Sequence, residues 1–113
     1  MKSKVVAALS LFFLASCAAV QLATPAQTDV NRVKTKYPDY TLAQLNDGKA
    51  LYEKNCANCH ALKNPSSRNE EEWKQIVPGM TKKANKKGAA IDAAQQELIL
   101  RYVITMSLAG NSK

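Results

Sequence analysis

Cys56, Cys59 and His60, in the run Cys56-Ala57-Asn58-Cys59-His60, are the residues of this 113-residue chain best spaced for chemistry. Two thiols three residues apart on a helical turn can each add across one vinyl group of a haem, while the adjacent histidine takes the iron from one face. This is the C-x-x-C-H pattern of covalent c-type haem attachment. The axial side chains then decide whether the iron carries electrons or binds small ligands. With three cysteines and one histidine in the chain, a shuffled sequence gives this run on the order of one time in two thousand, so chance is a poor explanation. A thioredoxin-like dithiol expects a preceding strand and a βαβ pattern, and neither is present. Half a zinc site needs further ligands, and there is no second histidine.

The elements that must hold this motif read as all-α. Thr41 can cap a first helix running to about Asn55, with Leu42, Leu45, Leu51 and Tyr52 near helical spacing. Gly48 lies within it, where glycine weakens a helix unless another helix must cross closely. Asn69 followed by Glu70-Glu71-Glu72 starts a short second helix through Val77, stopped by Pro78-Gly79. Asp92 with Gln95 opens a capping box for a last helix from Ala93 to about Leu108. Leu98, Ile99, Tyr102, Val103 and Met106 form its apolar stripe, and Gly110 follows its end. There is no strand alternation and no internal repeat. The folded part, about residues 40–107, is smaller than a bare apolar core comfortably supports. A haem would supply the missing apolar mass.

The beginning of the chain has its own chemistry. Met1 to Lys4 is a basic n-region and Val5 to Leu14 an apolar h-region, too short to span a membrane, so residues 1–16 read as a secretory signal peptide. Leu14-Ala15-Ser16-Cys17 resembles the lipobox of bacterial lipoproteins, which implies cleavage before Cys17 and lipid modification of that residue. Two cysteines then hold haem and one holds lipid, and none is left for a disulfide. Several acyl chains on one residue give stable anchoring. Ala18 in place of an acidic residue favours the outer membrane under the sorting rule of some bacterial lipoproteins. Residues 17–39 carry Pro25 and Pro38 and no clear apolar period, and read as a flexible tether. A helical turn over Val30 to Lys34 fits there, with Asp29 as its cap. The remaining residues, 40–113, form the one domain.

The order of helix, Cys56-Ala57-Asn58-Cys59-His60, loop with Pro65, short helix with Trp73, Met80, and last helix with Leu98 and Tyr102 resembles a small bacterial monohaem cytochrome c. The resemblance covers most of the mature chain. It implies the cytochrome c fold, three to four helices around one covalent haem c and its iron, with first and last helices crossing at Gly48 and Tyr102. Met80, on a loop beyond Pro78-Gly79, is expected to bind the iron opposite His60, whereas Met106 falls on the apolar stripe as core filler. Candidates around the haem are Pro65, either a turn residue or an acceptor for the His60 ring N–H, and Trp73 and Tyr52, either core or donors to a propionate. Arg68 is either a propionate partner or a solvated cation.

Excluding Lys2 and Lys4 leaves 14 basic against 9 acidic residues, a charge of +5 before haem propionates. Lys82, Lys83, Lys86 and Lys87 form a basic cluster that reads either as a solvated face or as a rim steering an acidic redox partner. Neither nucleic acid nor a small-molecule substrate is expected, as the chain has no phosphate loop or hydrolytic constellation. The expected function is one-electron transfer at the periplasmic face of a membrane, as a carrier or a fixed subunit of an oxidoreductase. The alternative, a haem protein that binds a small ligand or catalyses, requires the sixth iron position to be open or displaceable.

Overall fold

The computed structural model describes residues 21–56 and 62–110. Residues 1–16, read above as a signal peptide, together with Cys17, Cys59 and His60, lie outside the described residues. Among the described residues four α-helices, α1 (Gln27–Arg32), α2 (Leu42–Cys56), α3 (Glu70–Lys86) and α4 (Ala93–Gly110), carry the fold, with one 3-10 turn at Pro65–Ser67 between α2 and α3. Among the described residues there is no strand.

Short-range capping chemistry starts three of these helices. The Thr41 hydroxyl accepts from the Gln44 N–H (3.1 Å) and the Gln44 side chain accepts in return from the Thr41 N–H (3.1 Å). Asn69 with Glu72 (2.9 and 2.8 Å) and Asp92 with Gln95 (2.8 and 3.1 Å) repeat the device at α3 and α4. Each such box satisfies two backbone donors that a helix start leaves orphaned.

α4 is the hub. α1, α2, α3 and the 3-10 turn all pack against it. From Tyr102 to Ser107 every residue is buried, Thr105 and Ser107 included. This exceeds the expected stripe, because α1 covers the flank of α4 that α2 and α3 leave open. At the α2–α4 crossing Gly48 is buried, and Tyr52, Trp73 and Tyr102 meet beside it. Trp73 stands edge-on to Tyr52 at 6.2 Å and Tyr102 lies 5.5 Å from Tyr52. Pairs of this kind add about 0.5–1.5 kcal/mol each beyond the area they bury.

Two expectations are corrected. The segment read as a tether to residue 39 is docked over its latter part: Val30 (1 % exposed) and Val33 (2 %) enter the same core as Leu45 and Ile104. Its helix starts earlier than Val30, and Asp29 serves from inside it, accepting from the Ala26 N–H at 2.8 Å and from Arg32 at 2.9 Å. Tyr37 and Tyr40 pack edge to face at 5.6 Å with the Arg101 guanidinium of α4 over the Tyr37 ring at 4.5 Å. Lys36 pairs with Glu70 at the start of α3.

The second correction concerns α3, which runs through Pro78 to Lys86 where a stop at Val77 was expected. An interior proline removes one backbone hydrogen bond and costs roughly 3 kcal/mol. Trp73 and Val77 before it, and Thr81 and Ala84 after it, bury one continuous stripe that offsets this cost. The working stop is Gly88, at φ 98°. There the Ala89 N–H reaches the Ala84 carbonyl (3.1 Å) and the Gly88 N–H reaches that of Asn85 (3.2 Å), the closure that a left-handed glycine permits. α4, for its part, extends to Gly110, two residues beyond Leu108.

Candidate functional site

Cys56 is the last residue of α2, half-buried, and Tyr52 lies one turn before it. The Tyr52 hydroxyl donates to the Lys63 carbonyl, tying α2 to the chain that follows the motif. Of the two readings for Tyr52, its hydroxyl is thus engaged by backbone. Burial, with the neighbouring Cys56 charge as a second cause, pushes its phenol well above 10.

Met80 belongs to α3 and not to a loop, which corrects the expected setting of this ligand candidate. It is half-buried, one turn beyond Val77. Cys56 and Met80, from different helices, line one apolar cavity of about 10 Å³, with Tyr52, Val77, Thr81, Ala84, Ile91 and Ile99 completing its wall. Ile91 and Thr81 were not singled out from sequence. Ile91 is held by Asn85, whose side chain accepts from the Ile91 N–H (2.9 Å) and donates to its carbonyl (3.0 Å). An asparagine near a helix end followed by Gly88 was the available signal.

A thiol at a helix end can add to a haem vinyl group and a thioether on the facing wall can bind its iron, in apolar surroundings that suit the ring. The void itself holds no more than about one water, so a haem there requires α3 to stand farther from α2. Those two helices both pack mainly on α4 and little on each other. In residue type alone, Cys56 and Met80 match what such a group would need. Among the described residues no three His, Cys, Asp or Glu side chains gather into a metal site.

Trp73 is nearly fully buried and its indole N–H donates to the Pro65 carbonyl at 2.9 Å. Of the two readings for Trp73, its indole N–H is thus engaged by backbone. Pro65 opens the 3-10 turn, capped by the Asn64 side chain accepting from the Ser66 N–H at 3.1 Å, so it is a turn residue whose carbonyl serves Trp73. Arg68 is exposed at the end of that turn. Met106 is buried on α4, as the core-filler reading has it.

Lys82, Lys83, Lys86 and Lys87 are all exposed along the last turns of α3 and its cap. Lys82 and Lys86 border an open groove of about 580 Å³ together with Pro78, Asn85, Asp92 and Gln96. No helix among the described residues is long and apolar enough to cross a membrane. The chain matches no protein-family model, no curated protein and no solved structure.

Proposed function

We propose that this chain is a monohaem c-type cytochrome that passes single electrons between redox partners at the periplasmic face of a bacterial membrane, held there by lipid on Cys17. The observation that carries the reading is the convergence of Cys56, first residue of the C-x-x-C-H run, and Met80 on one apolar cavity. Bound haem supplies an iron that changes oxidation state by one electron. Cys56 and Cys59 would hold the ring as thioethers, and His60 and Met80 would be the protein ligands of its iron. Val77, Ala84, Ile91 and Ile99 would keep water from it, which would disfavour the extra positive charge of the oxidised state. Gly48 lets α2, the helix that ends at Cys56, pack closely on α4. The cytochrome c fold belongs to the same proposal.

Absorption spectra of the purified holoprotein test this reading, with the oxidised form scanned for the weak near-infrared methionine-to-iron band and repeated on Met80→Ala. A low-spin spectrum whose band disappears in the variant supports it. A high-spin spectrum with ready uptake of carbon monoxide overturns it and makes ligand binding or catalysis the better description.

A further inference from the structure

The docked N-terminal segment sets where an anchor would pull. Leu22 is partly buried against the core, and Ala23 borders a cavity of about 210 Å³ with Ser66, Met106, Ala109 and Gly110, at the C-terminal end of α4. From there the chain runs back along α4 until Tyr37 and Tyr40 reach Arg101. The basic groove of Lys82 and Lys86 borders Asp92, Ala93 and Gln96, at the opposite end of the same helix. Eighteen helical residues separate those ends by roughly 26 Å. The five residue steps from Cys17 to Leu22, the first docked residue, span at most roughly 18 Å.

We propose that the lipid-anchored protein is held with the C-terminal end of α4 and the 3-10 turn toward the bilayer, presenting the Lys82 and Lys86 end to the aqueous phase, so that its partner is a protein with an acidic face arriving from solution. This rests on the lipid-anchor and electron-transfer reading above. A leash shorter than the body cannot let the lysine end turn over onto the membrane. A free 23-residue tether would allow any orientation, so it is the docking of residues 22–40 that creates the constraint. Asp92 at the edge of the groove offsets part of the positive charge, but the four lysines exceed it. Their charge complements an acidic partner and speeds its encounter.

The test uses the full lipidated holoprotein in phosphatidylcholine vesicles containing a nickel-chelating lipid, with nitroxide labels placed in turn at Ser67→Cys and Lys86→Cys. The readout is the relaxation added by nickel relative to vesicles without it. Added relaxation several-fold larger at position 67 than at 86 supports the orientation. Equal or reversed values overturn it while the anchor reading stands. Failure to float with vesicles overturns the anchor, and this proposal with it. A Gly/Ser insertion of about twelve residues after Gln21 lengthens the leash and is expected to bring the two labels together; a persistent difference overturns the leash as cause. Soluble polyglutamate at low salt should bind vesicle-held protein as tightly as soluble Cys17→Ser protein, and Lys82→Glu with Lys86→Glu should abolish that binding. Loss of binding on the vesicle overturns the aqueous presentation of this face.

Discussion

A methyl group on Gly48 would sit 2.3 Å from the Leu98 carbonyl oxygen and 2.8 Å from the Tyr102 Cβ, so α2 and α4 meet backbone against backbone. The nearest atom is main chain and cannot swing aside. Gly48→Ala would gain up to ~1 kcal/mol of helix propensity but force the crossing apart, at a cost of about 1–3 kcal/mol. Net destabilisation is expected in urea unfolding, as a lower midpoint with unchanged slope. A stabilised variant would mean that the helices do not cross this closely.

Pro78 gives the opposite expectation. It is exposed, inside α3, and denies the Lys74 carbonyl its helical donor. Pro78→Ala should restore that bond and stabilise the protein by about 1–3 kcal/mol, seen as a higher melting temperature. If α3 ended at Val77, the same change would do almost nothing, so the variant separates a continuous helix from an interrupted one.

Trp73 holds the 3-10 turn through its indole N–H. Trp73→Phe keeps most of the ring and leaves the buried Pro65 carbonyl without this donor. A loss of about 0.5–1.5 kcal/mol is expected from the lost buried hydrogen bond, since the carbonyl keeps the Arg68 N–H, with reduced packing added to it. Faster amide exchange at Ser67 and Arg68, whose N–H groups close the turn on Asn64 and Pro65, would localise the effect. Unchanged exchange there would show that the indole bond does not restrain the turn.

Tyr40 supplies a pH test. Burial raises its phenol from 10.0 to about 12, more than the nearby Thr105 hydroxyl and Arg101 cation lower it. Neither the Tyr40 hydroxyl nor Thr105 Oγ1 has a partner in hydrogen-bond geometry. The unfolded phenol releases its proton near 10 while the folded one keeps it to about 12, so this contribution is complete below pH 10 and is lost as pH rises through that interval. Burial likewise raises Tyr37, Tyr52 and Tyr102, giving an alkaline decline shared among four phenols. Tyr40→Phe should leave stability at pH 8 within about 1 kcal/mol of wild type, because it removes an unpartnered buried oxygen, and should make the decline above pH 10 shallower. Urea midpoints at pH 8 and at successive alkaline steps read both effects.

The parts of the fold written in short-range chemistry were legible in the sequence. Thr41, Asn69 and Asp92 start their helices through side-chain-to-backbone bonds that involve only neighbours three residues away. Gly48 could be read as a crossing point because a glycine inside an apolar helical pattern needs a reason. Pro78-Gly79 misled because the local cost of proline is visible in the sequence, whereas the stripe from Trp73 to Ala84 that offsets it depends on where α4 lies. The docking of Val30 and Val33 was hidden for a similar reason. Two valines and two tyrosines in a polar stretch give no period, and only the uncovered flank of α4 gives them a place. At the candidate site, the residue types of Cys56 and Met80 marked them as candidates. That Met80 approaches from a helix, beside a wall of Ile91 and Ile99, follows from tertiary packing that no local pattern states.

The position of α4 in the chain bears on when this protein can acquire its shape. α1, α2 and α3 are each synthesised before the element on which they mainly rest. A nascent chain lacking residues 93–110 has apolar faces with nothing to receive them, so it stays open until that stretch has emerged. Until then Cys56 on α2 and Met80 on α3 stay open to solvent, because the cavity they line is walled by Ile99 of α4 as well.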